Sequence, residues 1–357
     1  MNETEVGALR QKLASRVRSD DYRQRRKDMD ARALEYKIAP DVTVEPVTAN
    51  GVRAEWTSTP NDARDAALIW LHGGGYVIGS LVSHRHLVSE AGRAARVWAL
   101  ALDYRLAPEY PFPAAVEDAV SGYRYLLSRG IRPERIAIAG DSAGGGLVVA
   151  AMVAIREAGL TQPACGWCIS PWVDMEAIGE TMSTKAEADP MVQRPGLLEM
   201  AGFYLGGADP RSPLAAPIYA DLKGLAPLLI QVGAAETLLD DAIRLAKAGG
   251  AAAEGREAGD PGGRRLHTVG DGTVASSNLR LRPAWPPSAT DPRTKGKASG
   301  KRRIRTPRKL PMTGEATRSS TRRAGFGDPT NNSATNPYTR IPRPARRCHR
   351  YGALSRL

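Results

Sequence analysis

An α/β fold on a mostly parallel sheet is predicted by three features of the first 250 residues. Short apolar runs recur as AALIWL, VWALAL, RIAIAG, ACGWCIS and PLLIQVG. Stretches with helical spacing, such as AAVEDAVSGYRYLLSRG and GGGLVVAAMVAIREAG, lie between them. The runs are apolar almost throughout rather than alternating, which fits strands covered on both faces. Strands alternating with helices pair in parallel through crossover connections.

Taken in order, residues 4–36 are polar with spaced Leu, Val, Met and Tyr, and read as a helical N-terminal segment. The stretch DVTVEPVTANGVRAEWTS alternates on both sides of Asn50-Gly51, a hairpin signal. Strand and helix then alternate up to PLLIQVG, except across residues 173–215, which interrupt the pattern and read as an inserted cap. No internal repeat is present.

The net charge of +12 over 357 residues divides unevenly. Residues 251–357 carry 23 Lys or Arg against 7 Asp or Glu, leaving 27 and 31 for residues 1–250. The body is mildly acidic and the basicity belongs to the tail, so a nucleic-acid-binding body is not indicated. The charged N-terminus lacks the apolar segment and cleavage site of a secretory signal. The apolar run around GGGLVVAAMVAI is too short to span a bilayer. Cys165, Cys168 and Cys348 make no disulfide framework. A soluble, cytoplasmic protein is the expectation.

RIAIAGDSAGGG places Gly140-Asp141-Ser142-Ala143-Gly144 between an expected strand and an expected helix. This is G-x-S-x-G in the strand–turn–helix setting that exposes a nucleophilic serine. The Ala143 N–H and the helix start would face negative charge developing beside Ser142. Earlier, LIWLHGGGYVIGS sets Gly73, Gly74 and Gly75 behind an apolar run. A carbonyl attacked by Ser142 becomes an oxyanion, which needs N–H donors already aimed at it. Gly73, Gly74, Gly75 and Ala143 are therefore candidate oxyanion-hole donors, and Tyr76 a candidate pocket wall.

His72-Gly73-Gly74-Gly75-Tyr76, DYRLAPEYPFPAAVEDA from Asp103 to Ala119, and Gly140 to Gly144 resemble the hormone-sensitive-lipase-like branch of the α/β-hydrolase superfamily, which includes many bacterial carboxylesterases. The resemblance runs from about residue 5 to about residue 249. It implies an eight-stranded, mostly parallel sheet with helices on both faces. It also implies a helical cap from about residues 1–40 and 173–215, and short-chain acyl esters as substrates. In that family's pattern His72 orients the glycine loop, DYRLAPE supports the site from behind, and no cofactor or metal takes part.

In α/β-hydrolases the acid follows the serine and the histidine comes last. Glu236, just beyond PLLIQV, is preferred as the acid over Asp240, since Asp240 and Asp241 read as first-turn carboxylates of the next helix. The pattern then fails. Residues 251–357 are basic, hold 11 prolines and show no period of 2 or 3.6, so a disordered tail is expected. Such a composition is what a GC-rich gene gives out of frame, and a frameshift near codon 250 would explain it. Of the histidines, His84 and His86 fit a helix before the nucleophile and His349 lies among arginines. His267 stands 31 residues after Glu236, about the family's separation, without the strand and helix that should flank it.

Two weaker signals remain. Cys165 and Cys168 match C-x-x-C, but residues three apart on a strand face opposite sides, which favours buried core over metal or redox chemistry. The cluster KGKASGKRRIRTPRK, Lys295 to Lys309, has no folded reader for specific nucleic-acid recognition. Two readings of function follow. One is a serine carboxylesterase working through an acyl-enzyme on Ser142. The other is an impaired hydrolase domain lacking its general base, which binds esters or partners. Oligomeric state is not legible.

Overall fold

The structure, a computed structural model, describes residues 3–250 and 266–269; side chains are described for 7–250. The described residues all belong to one unit, Met1–Asp291. Its strands are β1 (Thr43–Ala49), β2 (Val52–Ser58), β3 (Ala63–Leu71), β4 (Val97–Leu102), β5 (Ile136–Asp141), β6 (Cys165–Ile169), β7 (Leu228–Gly233) and β8 (Leu266–Val269). They form one eight-stranded sheet in the order β1-β2-β4-β3-β5-β6-β7-β8. The β1/β2 and β2/β4 pairs are antiparallel and every later pair is parallel, so the expected fold class is observed.

The β1/β2 hairpin turns on Asn50 and Gly51, with φ of 49° and 89°. Two successive positive φ values define the turn whose twist matches that of the strands. Pro46 sits on β1, the sheet edge, where a residue without an N–H is tolerated.

Alternate residues of the central strands feed two apolar layers. Ile69, Leu71, Leu100, Leu102, Ile136 and Ile138 meet α4 (Ala114–Ser128) and α5 (Ala143–Glu157). Leu68, Trp70, Ala99, Ala101, Ala137 and Ala139 meet α3 (Leu81–Ala95) through Leu81 and Val88. α8 (Leu239–Ala248) packs on β7. Within α5 the run Gly144 to Val153 is wholly buried, and each large side chain in it contributes about 1.5–3 kcal/mol of transfer energy. A helix apolar on all sides is thus a core helix, and among the described residues no helix is long and apolar enough to cross a membrane.

The cap has two parts. α1 (Glu3–Ala14) and α2 (Tyr22–Ala33) precede the sheet, while α6 (Thr181–Thr184) and α7 (Arg194–Leu205) lie in the insertion after β6. Arg25 of α2 grips Glu199 of α7 with two bonds of 2.8 and 3.0 Å, and the Tyr22 and Phe203 rings meet at 5.7 Å. Arg26 reaches down from α2 to Val77 O at 2.7 Å and Ala107 O at 2.8 Å, seating the cap on the glycine loop.

One expectation for the region after residue 250 is corrected. Leu266–Val269 forms β8, pairing Ile230 with Leu266 and Gln231 with His267. Composition averaged over a long basic stretch hides four residues, LHTV, whose apolar and β-branched members suit an edge strand. The rest of the expected tail, with the Lys295–Lys309 cluster, Cys348 and His349, lies outside the described residues.

Candidate active site

Ser142 joins β5 to α5 with φ 54° and ψ −121°, a conformation that a residue with a Cβ adopts only under constraint. Such strain is of order 1–3 kcal/mol and persists where the surroundings over-determine the backbone. Here they do. The Ser142 N–H donates to Ile169 O at 2.8 Å, and its carbonyl accepts the N–H groups of Gly146 and Trp172 at 3.1 and 3.0 Å. A Cβ on Gly140 would fall 2.5 Å from Leu71 O, and one on Gly144 would fall 1.9 Å from the same oxygen. Both glycines of G-x-S-x-G are therefore steric necessities. Ser142 stays partly exposed while Ala143 is buried. As the first residue of α5, Ala143 has no intrahelical acceptor for its N–H.

The glycine loop leaves β3 beside this turn. Gly73 donates its N–H to Asp141 Oδ1 at 3.1 Å, so that donor is occupied and does not face an oxyanion. The N–H groups of Gly74 and Gly75 have no acceptor among the described residues. Gly74 has φ 121° and Gly75 φ 62°; a Cβ on Gly75 would lie 2.0 Å from Met200 Sδ of the cap. The expected donor set thus narrows to Gly74, Gly75 and Ala143.

His72 lies behind the loop. Its Nδ1–H donates to Gly73 O at 2.9 Å, its ring stacks on Tyr104 at 4.3 Å, and the Tyr104 hydroxyl donates to His72 O at 2.7 Å. Burial, with His84 close by, pushes the His72 imidazole down to about 3, so it is neutral where it bonds Gly73 O. Burial pushes the Asp141 carboxyl up. His84 beside it, His72 and the Gly73 N–H outweigh this, and it lies below its usual range. Tyr76, expected as a pocket wall, is instead wholly buried, stacked 3.8 Å from Tyr204. Its rigid ring braces the loop from beneath. From DYRLAPE, Ala107 donates its N–H to Tyr76 O at 2.9 Å and Arg105 pairs with Asp118 and Glu117.

Glu236 sits three residues beyond β7. Its Oε1 accepts the Gly233 N–H at 2.7 Å, and Ser170, which follows β6 with φ 45°, lies near enough to act on its carboxyl. Burial pushes the Glu236 carboxyl up, Ser170 and Gly233 oppose this, and Asp189 adds to the rise. Asp240 and Asp241 are occupied elsewhere. Asp240 Oδ2 accepts the Thr181 N–H, and Asp241 Oδ2 accepts those of Val173 and Asp174 at 2.9 and 3.1 Å.

No imidazole among the described side chains lies within hydrogen-bond distance of Ser142 or Glu236. His84 Nε2 meets Asp141 Oδ2 at 3.2 Å and His86 Nδ1 meets Lys37 O at 3.0 Å. His267 stands on β8 opposite Gln231, two residues short of the end of β7. Cys165 and Cys168 are free thiols on opposite faces of β6, in separate apolar layers. Among the described residues no group of acidic, His or Cys side chains could hold a metal ion.

Three participants escape a reading of the sequence. Ser170 follows β6 in the apolar context ISPW, and only its positive φ signals a special role. His84 pairs with a carboxylate 57 residues away, and Asp189 with Thr237 across 48. Nothing local marks such pairs.

The alpha/beta hydrolase fold family matches residues 68–258. The chain is 51% identical over 202 residues to an acetyl-hydrolase of Streptomyces hygroscopicus, covering 57% of this chain and 67% of that protein. It is 37% identical to LipR, a putative acetyl-hydrolase of Mycobacterium tuberculosis, covering 56% and 64%. The chain therefore spans about two thirds of the length of these curated relatives. Among solved structures, an esterase of the bacterial hormone-sensitive lipase family superposes with a TM-score of 0.69 at 46% identity, over 75% of this chain and 87% of that one. The esterase EstE5, in a crystal soaked with p-nitrophenyl butyrate, gives 0.66 at 44% identity, over 76% and 88%. Fold, glycine loop, G-x-S-x-G turn and relatives agree: this chain belongs to the hormone-sensitive-lipase-like branch of the α/β-hydrolase fold.

Proposed function

We propose that the chain is a serine carboxylesterase that hydrolyses short-acyl esters through an acyl-enzyme on Ser142. The positive φ of Ser142, beside the Gly74 and Gly75 N–H groups that have no acceptor among the described residues, carries this reading. Ser142 Oγ attacks the ester carbonyl as its proton passes to an imidazole. The N–H groups of Gly74, Gly75 and Ala143 receive the oxyanion, a contribution of about 3–4 kcal/mol per donor in comparable sites. The proton then passes to the departing alkoxide, and water attacks the acyl-enzyme by the same route to release the acid.

Glu236 is the residue assigned to orient that imidazole. His267 is the candidate to supply it, because β8 sets its backbone on the strand next to β7, the strand that leads to Glu236. Met200, pressed on Gly75 from the cap, supports a short acyl group by limiting the space above the loop.

Covalent labelling tests the reading. A fluorophosphonate should add once to the full chain, on the peptide containing Ser142, and not to the Ser142→Ala variant. An adduct that persists in that variant contradicts it. Labelling of Ser142 without sustained ester turnover would instead favour the impaired domain.

A further inference from the structure

The loop that carries Glu236 is held by the cap as well as by the sheet. Thr237, wholly buried, is gripped from two points of the insertion. Its N–H donates to Asp189 Oδ2 at 3.0 Å, and its hydroxyl lies 3.2 Å from that oxygen and from Val192 O. Its carbonyl accepts the Thr181 hydroxyl at 2.7 Å, and that hydroxyl in turn accepts the Asp240 N–H at 2.9 Å.

Asp189 is the centre of this arrangement. It is 6% exposed, rare for an aspartate, and its charge is met by backbone N–H groups: Met191 at 2.8 Å, Val192 at 3.0 Å and Thr237. From the N-terminal part of the cap, Arg18 donates to Pro190 O and Met191 O, the next two residues. Both parts of the cap and the acid's loop are thus joined in one series of charge-assisted and buried bonds. A buried network of this kind is rigid only while every member is satisfied.

We propose that Asp189 is a positioning residue: through Thr237 it fixes the loop that presents Glu236, so that docking of the cap and placement of the catalytic acid are one event. The proposal rests on the reading of Glu236 as the acid. A misplacement of about 1 Å far from the reacting atoms can lower a rate by about 100-fold, and Glu236 is the next residue to the one gripped. The other holds on Glu236 are local: its carboxylate accepts the Gly233 N–H at 2.7 Å, its N–H donates to Gly233 O at 3.1 Å and its carbonyl accepts the Leu239 N–H at 3.2 Å, so it is the bonds at Thr237 that tie this turn to the insertion.

The test uses the full chain and its Asp189→Ala, Asp189→Asn, Thr237→Val and Glu236→Gln variants. The readouts are p-nitrophenyl butyrate kinetics and amide exchange. Asp189→Ala should lower kcat by about tenfold or more with KM within about threefold, and speed exchange at Thr237 about tenfold, with the Ser142 turn unchanged. Asp189→Asn keeps one acceptor oxygen but sets its NH2 against either the Thr237 N–H or those of Met191 and Val192, so it should lower kcat in the same direction and by less than Asp189→Ala. In the Glu236→Gln background, Asp189→Ala should lower kcat by no more than about twofold, because its effect passes through that carboxylate. A full loss that persists in that background, a change confined to KM, or unaltered exchange at Thr237 would overturn the proposal. Should Asp189→Ala fail to fold, Asp189→Asn and Thr237→Val carry the same comparison. Glu236→Gln with unchanged kcat would remove the acid assignment itself, and the proposal with it, whatever the exchange showed.

Discussion

The Asp141 carboxylate accepts the Gly73 N–H at 3.1 Å, fastening the glycine loop to the residue that precedes the nucleophile. His84 Nε2 holds the other oxygen at 3.2 Å, and a Cβ on Gly73 would fall 2.2 Å from it. The two segments proposed to receive the oxyanion follow strands that are neighbours in the sheet, β3 and β5, and this bond ties one segment to the other. Asp141→Ala is expected to lower kcat by about 10–100-fold with little change in KM, since the donors matter most in the transition state. Steady-state kinetics checks this; an effect on KM alone would contradict it.

The strain at Ser142 predicts a stability difference between two inactive variants. Ser142→Ala keeps a Cβ at φ 54°, whereas Ser142→Gly relieves it. The glycine variant should be more stable than the alanine variant by roughly 1 kcal/mol, read from thermal melts. Equal melting temperatures would mean that the turn is unstrained.

Two glycine-to-alanine changes should act in opposite directions. Gly144→Ala drives a Cβ to within 1.9 Å of Leu71 O and is expected to destabilise by more than roughly 3 kcal/mol. Gly202→Ala lies within α7 with nothing within 4 Å, and should gain about 0.5–1 kcal/mol. Urea melts of both variants test the pair.

Asp241 makes stability depend on pH. Burial pushes its carboxyl up to about 7, with Asp174 adding to the rise and Arg244 opposing it. The folded state therefore binds more protons than the unfolded state between about pH 4 and 7, and stability from this group falls as pH rises through that window. Asp241→Asn keeps an acceptor for the Val173 and Asp174 N–H groups and removes the titration. The stability of the parent relative to Asp241→Asn should be greater at pH 5 than at pH 8. The opposite trend would place a charged carboxylate in that site.

Much of this was legible in the sequence because the signals are local. Asn50-Gly51 announces its hairpin through two residues that tolerate positive φ. Gly140 and Gly144 announce the nucleophile turn because backbone oxygens leave no room for a Cβ. The five apolar runs became β3 to β7 because each is short and punctuated; β3, β4 and β5 are buried on both faces, while β6 and β7 are half-buried on one. What was not legible depends on partners distant in the chain. Gly73 looked like a free donor until Asp141 took its N–H, and Tyr76 like a wall until Tyr204 covered it. β8 was missed because four residues in a polar surrounding gain their strand only from the ladder that β7 offers.

Ester hydrolysis at Ser142 is tested by the time course of p-nitrophenyl butyrate turnover by the full chain beside its Ser142→Ala variant. Sustained turnover that falls by about 10⁵–10⁶-fold in the variant is the predicted result. A folded full chain whose rate equals that of Ser142→Ala would contradict it.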